Sequence, residues 1–437
     1  MKRTLPVLAL LLWGLAGCEE SMPTAASDEL LPGALRTVEI RLPWDQFASG
    51  LEVWGGFSSP FELGRGVIAH DFKGLEARGL ARVIRLNRTI TVVDSTGASV
   101  VDSLGSIKGG RVVAHFDTLS PAVPPAMTVS AHRILTSWDP PSVTWTFAVD
   151  TAGEQRPWPE PGGGPVELVG TGEWSTGQGD SLVIPVDSAT MAAWADSLDV
   201  GRGVRVDMET PDVRLELDDI FLRYELVPSV NQDTVVTLSA NTDIATFIYD
   251  PLPEGPGDGI RLGGAPAWRT TITTDIPTEL DGPPALCPLL GCPFRLTPEN
   301  VSHASLVLQT RPTPPAFQPS DSARVEARAV LSPELLPKAP LGPSLFSDTP
   351  LQLTGLSIPG AAFGEGGSLL VGLPITDFVR ALVADPPEDG PPPPNTLALL
   401  SAFEPFSISF AEFAGPGGPG APYLRLIVTV ADSVRLP

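Results

Sequence analysis

Apolar and polar residues alternate with a period of two along much of the chain. Val38, Ile40 and Leu42 are interleaved with Thr37, Glu39 and Arg41, and Ala304, Leu306 and Leu308 with Ser305 and Gln309. Leu424, Leu426, Val428 and Val430 alternate in the same way with Arg425 and Thr429. Successive side chains of a strand point to opposite faces, so these runs predict strands with one face on a core. Two segments follow helical spacing instead. In "ATMAAWADSL", Met191, Trp194 and Leu198 share a face, and in "DFVRALVA" Phe378, Val379, Leu382 and Val383 cluster. Ser188 and Thr376 precede these runs and place a hydroxyl where it can cap a first turn.

The surroundings of the two helices match. "SLVIPVD" leads into the first, which passes through glycines to "GVRVDMET" and "DDIFLRYELV". "SLLVGLPI" leads into the second, which passes through "PPEDGPPPPN" to "TLALLSAFEP" and "APYLRLIVTV". Strand, helix, turn, strand and closing strand recur in one order, an internal repeat of about half the chain. The expectation is an all-β protein of two tandem β-sandwich, jelly-roll-like domains, each with one short helix near its C-terminal end. The boundary is expected near Pro228, giving modules 36–228 and 229–437.

Composition agrees with that class. The 437 residues include 43 Gly and 49 Pro, which helix interiors tolerate badly and strand–turn folds accommodate. With 28 basic against 51 acidic residues the formal charge is −23. Phosphate contacts need a basic face, so nucleic acid is not an expected partner. The four histidines are scattered, and neither a metal nor a cofactor is expected.

The amino terminus reads as an export signal: Lys2 and Arg3, then an apolar run from Leu5 to Leu15 too short to span a bilayer comfortably. It ends in "LAGC", which resembles the lipobox of bacterial lipoproteins. That resemblance implies a signal peptide over 1–17, acylation of Cys18 and a membrane-lipid partner. Residues 18–35 then form the acylated cysteine and a flexible tether, rich in small and acidic residues. Glu19 is not the aspartate of an inner-membrane retention signal, so the outer membrane is the expected address. In an oxidising compartment Cys287 and Cys292 of "CPLLGC" are expected to form a disulfide.

The closing strand patterns, with "IRLGGAPAWRTTITTDIP" and "RILTSWDPPSVTWTFAVDTAGEQRPWPEPGGG", resemble DNRLRE domains, β-sandwich modules related to carbohydrate-binding modules. The resemblance covers most of residues 36–434, and its motifs are structural. The double-tryptophan stretch "SWDPPSVTW" occurs in the first module alone.

Because Val143, Trp145, Phe147 and Val149 alternate with polar residues, Trp145 is expected in the core and Trp138 at the edge of the sandwich. Sugars stack on exposed aromatic rings, so Trp158 and Trp174, in Gly- and Pro-rich loops, and then Trp138, are the candidate ligand-binding residues. No nucleophile-elbow, zinc-helix or phosphate-loop motif is present, and no catalytic residue is assigned. The expected function is a non-catalytic, membrane-anchored lipoprotein of the cell envelope that binds polysaccharide or another envelope component. A structural lipoprotein making protein contacts is the alternative, and a secreted polysaccharide hydrolase or lyase the second.

Overall fold

The computed structural model describes residues 35–431 apart from 118–125, 176, 197, 282–286, 288–290, 347–354, 387–389 and 403–406. The expected export signal, Cys18 and nearly all of the expected tether lie outside the described residues. The protein is all-β, and the pairings of its long strands are antiparallel.

One region is built from two sheets. The first has the order Leu35–Pro43, Tyr423–Ala431, Val301–Gln309, Leu370–Pro374. In the second, Leu341–Ser344 and Leu356–Pro359 both pair with one edge of Ser322–Val330, whose other edge leads to Thr396–Ser401 and Trp268–Thr274. Ile40, Leu306, Leu373 and Leu426 from one sheet and Ile272, Val325 and Leu399 from the other share a single core. The alternation seen in the sequence is what puts them there: each lies two residues from the next inward neighbour.

The other region is one continuous sheet that folds over. Its order is Val166–Ser175, Ala126–Ile134, Gly203–Met208, Leu75–Arg85, Gly66–Phe72, Val213–Val227, Ser106–Phe116, Ser181–Val186. In the middle, Gly66–Phe72 meets Leu75–Arg85 only near the hairpin tip, at Ala69–Ala77 and Phe72–Leu75. With Val236–Ser239 beside Val213–Val227 and Asn241–Asp250 beside Leu75–Arg85, five strands lie to each side of that seam. Ala81, Val129 and Val206 from one side pack with Val112, Ile184 and Leu222 from the other.

The two regions repeat one pairing plan. Gly203–Met208 lies between Leu75–Arg85 and Ala126–Ile134, as Thr396–Ser401 lies between Trp268–Thr274 and Ser322–Val330. Val213–Val227 joins Gly66–Phe72 to Ser106–Phe116, as Tyr423–Ala431 joins Leu35–Pro43 to Val301–Gln309. The boundary expected near Pro228 does not separate them. Leu35–Pro43 and Ala48–Gly55 belong to the sheets of the chain's second half. Asn241–Asp250 pairs back onto Leu75–Arg85. The first region is thus inserted between Gly55 and Ile260 of the second.

Both helices form, over Ser188–Ala195 and Thr376–Val383. Their caps differ from the expectation. Asp187, not Ser188, accepts the N–H of Thr190, and Thr376 turns its hydroxyl to accept the N–H of Ala304 on the neighbouring strand. Met191 and Trp194 are buried, but the first helix ends before Leu198, which is 81% exposed. Cys287 and Cys292 are disulfide-bonded, with Cα atoms 5.0 Å apart.

Where the regions meet, Val67, Ala77, Phe247 and Tyr249 pack against Ala316, Phe317 and Phe410. Arg214 donates to the Ala316 carbonyl and Ser407 donates to Glu216 at 2.8 Å. Burial pushes the Glu216 carboxyl above its ordinary value, although Ser407 and Arg214 act in the other direction.

Candidate functional site

The tryptophans singled out from the sequence are positioned by an excursion over residues 135–165. Pro140 and Pro141 sit in a turn in which Asp139 accepts the Ser142 hydroxyl at 2.6 Å, so the run 143–149 is not one strand. Only Phe147–Asp150 is extended, paired with Gln155–Pro157. This hairpin folds back over the outer face of the first region's sheet. Trp138, Val143, Ala148 and Trp158 pack there on Leu80, Ile134 and Ile248.

The candidate ligand rings are therefore buried. Trp138 is 4% exposed and donates its indole N–H to the Gly201 carbonyl at 2.9 Å. Trp158 is 3% exposed and donates to the Thr144 carbonyl at 2.9 Å. Trp174, 4% exposed, meets Phe116 edge-on in the main core and donates to the Gly179 carbonyl at 3.0 Å. None of the three presents a face to a sugar. Trp145, expected in the core, is instead half-buried, with the Arg78 guanidinium 4.6 Å above its ring.

Beneath the excursion lies a polar seam that the sequence reading missed. Register places Ser130 opposite Asp207 and His132 opposite Arg205. Arg205 holds Asp207 in a two-pronged contact at 2.9 and 2.7 Å and reaches the Gly162 carbonyl at 3.1 Å, where Arg78 also donates. Ser130, His132 and Asp207 have the composition of a hydrolytic triad but not its wiring. The Ser130 hydroxyl donates to Glu209. His132 Nε2, 2.8 Å from Ser130 Oγ, must then be the donor in that contact and cannot take the serine proton. Asp207 approaches the same nitrogen, at 3.4 Å, rather than Nδ1. Burial pushes His132 below its ordinary value, favouring the neutral ring. The seam holds the excursion down. Its signal was present in the sequence, as polar pairs two residues apart at 130/132 and 205/207 within otherwise apolar strands.

A cleft of about 690 Å³ opens at the junction of the two regions. Residues 251–256, the connection out of the inserted region, form one wall, and 311–318 the other. Pro253, Pro314 and Pro315 rings and Phe317 make the walls apolar, while Glu254 and Glu365 bring charge to the rim. Arg261 and Glu412 form the floor. Arg261 donates to Glu412 Oε1 at 3.0 and 2.6 Å and stacks under Phe410 at 4.3 Å. Both Arg261 contacts use one oxygen, and among the described residues Oε2 accepts from none. Also among the described residues, no group of three or more His, Cys, Asp or Glu is placed to hold a metal ion.

No family model and no curated protein matches the chain. Among solved structures, the chain is aligned with the C-terminal domain of the Streptococcus agalactiae AgI/II polypeptide BspA at 8% identity and a TM-score of 0.10, over 90% of each chain. A second form, titled BspA_C_WT, aligns at 8% identity and a TM-score of 0.11 over 91% of this chain and 84% of the other. At such scores no shared fold follows.

Proposed function

We propose that this is an exported, lipid-anchored, non-catalytic binding protein of the bacterial envelope that holds a polysaccharide segment in the junction cleft. Its body is two jelly-roll-like modules, one inserted in the other. The observation that carries the reading is the cleft itself: an open space between two packed regions, apolar on its walls, with a carboxylate oxygen available at its floor. Binding sites of this kind favour such junctions, and a sugar offers C–H faces to the walls and hydroxyls to the acceptor. The "LAGC" signal and the Cys287–Cys292 disulfide support export. The seam's wiring argues against hydrolysis there. Three aliphatic residues exposed around one hairpin, Val93, Val101 and Leu104 at 56, 72 and 81%, favour protein contact as a second reading.

A glycan screen of the chain from residue 33, which keeps every described strand, tests the proposal. Leu252→Glu and Glu365→Lys, both at exposed positions of the cleft, should weaken a captured glycan about tenfold without moving the melt. Binding indifferent to both changes removes the cleft from the proposal. Separately, Cys18→Ala should release the protein from the membrane fraction, and its retention there would refute the anchor.

A further inference from the structure

On the outer face of the first region, three strands present an ordered grid. Arg111 stands opposite Arg223 on one side and Pro185 on the other. In the next row Val113 faces Phe221 and Val183, and in the third His115 faces Asp219 and Ser181. The intervening residues Val112, Ala114, Ile220 and Leu222 fill the core, so these rows point outward. Phe221 lies between the Arg223 guanidinium, 5.0 Å from its ring, and the His115 imidazole, stacked at 5.3 Å. Val183 is 49% exposed beside it.

Two like charges directly opposite on neighbouring strands repel. The second region contains the same arrangement, Arg41 opposite Arg425, and there Glu39 bridges them, at 2.7 Å to Arg41 and 2.8 Å to Arg425. Arg111 and Arg223 have no such bridge: among the described residues no carboxylate lies within ion-pair distance of either. The acids of the same face serve elsewhere or stand off. Asp180 lies 3.9 Å from His115. Asp219 and Glu225 flank Phe221 and Arg223 along their strand without reaching the arginine pair.

We propose that Arg111 and Arg223 form an anion site for an acidic polysaccharide, pairing a sugar carboxylate while the exposed Val183 beside them receives the ring's C–H surface. The charge argues for this occupant. On a chain with 51 acidic and 28 basic residues, an unbridged arginine pair beside an apolar row complements a ring bearing one negative group. This site is distinct from the cleft and does not depend on it.

Alginate oligosaccharides titrated calorimetrically into the chain from residue 33 provide the test. Arg111→Ala and Arg223→Ala should each weaken binding about tenfold, and binding should fall with added salt. Neutral dextran should not bind this face. Dextran sulfate held more tightly than alginate through the same two arginines would overturn the carboxylate in favour of a sulfate ester. Absence of alginate binding, or binding unchanged in the double variant, would overturn the site. Both arginines are at the surface, and Arg111→Ala alone should raise the low-salt melting temperature by relieving the repulsion. A lowered one counts against the unbridged pair. Leu252→Glu and Glu365→Lys should leave alginate binding intact, which separates failure here from failure of the cleft.

Discussion

The inserted region and the region it interrupts use one strand order but different chain connections. In the inserted region a two-residue turn joins Gly66–Phe72 to Leu75–Arg85, and the sheet runs on through that hairpin. In the outer region the equivalent strands, Leu35–Pro43 and Trp268–Thr274, are separated by the whole insertion, and the sheets are distinct. The flanking partner also differs in origin. Asn241–Asp250, arriving after the closing strand, lies beside Leu75–Arg85, whereas Ala48–Gly55, arriving before the insertion, lies beside Trp268–Thr274. What persists is the set of inward side chains each strand supplies; which loop delivers the strand does not matter to the packing.

The largest effect should come from cutting the chain where the sequence suggested a boundary. Fragment 229–437 lacks two strands of its own sheets and retains two, Val236–Ser239 and Asn241–Asp250, that belong to the other region. It should fail to melt cooperatively, whereas 56–259 should do so alone, as followed by circular dichroism. A cooperative melt of 229–437 by itself would break the comparison.

Next in size are the tryptophans. Trp138→Ala, Trp158→Ala and Trp174→Ala each remove a buried ring and should cost about 3–5 kcal/mol in denaturant melts. Trp145→Ala removes a half-buried ring and a cation contact, and should cost about 1–2 kcal/mol. The reverse ranking would mean that the excursion is not packed on the sheet.

A pH effect should follow at the joint. Glu216 has its protonation raised by burial, so the native protein binds its proton more tightly than the unfolded chain does. Its contribution is then fully present below the unfolded value and is lost as pH rises through the folded one. Measured against Glu216→Gln, the native protein should gain relative melting temperature as the solution is acidified from neutrality through that window. A difference that is flat with pH would show that Ser407, Arg214 and Arg65 around it cancel the burial. The smallest effect concerns Glu39, whose carboxyl is held below its ordinary range by hydrogen bonds from Arg425 and then Arg41. Glu39→Gln should barely change the melt, but should give the outer region salt-sensitive alginate retention. If it does not, the bridge is not what distinguishes the two faces.

Much of the fold was legible because it is local. Alternation located strands such as Val301–Gln309, and the 3.6-residue spacing found both helices. The ends of those helices were less legible, because Asp187 and Ser188 could each cap and only the folded backbone chooses. The insertion was not legible at all. Leu35–Pro43 carries no mark of its pairing with Tyr423–Ala431, since any alternating strand could lie there. The burial of the tryptophans is hidden in the sequence for a related reason: "QRPWPEPGGG" has the composition of a surface loop, and only the hairpin's return over Leu80 and Ile134 buries Trp158. The seam and the arginine pair exist only in register, which brings together residues tens of positions apart.

The nine paired residues of Leu35–Pro43 also set the mechanics of attachment. If the chain is anchored at Cys18 as proposed, tension would enter the outer region at Leu35, opposite Ala431 at the end of the closing strand. It must traverse that strand, and then Ala48–Gly55, before it can reach the inserted region. The insert's two connections, 56–65 and 251–259, both leave toward the outer region, so it hangs as a side branch off the load path. Drag on a captured polymer would strain the terminal zipper of strands before it disturbed the Arg111–Arg223 face.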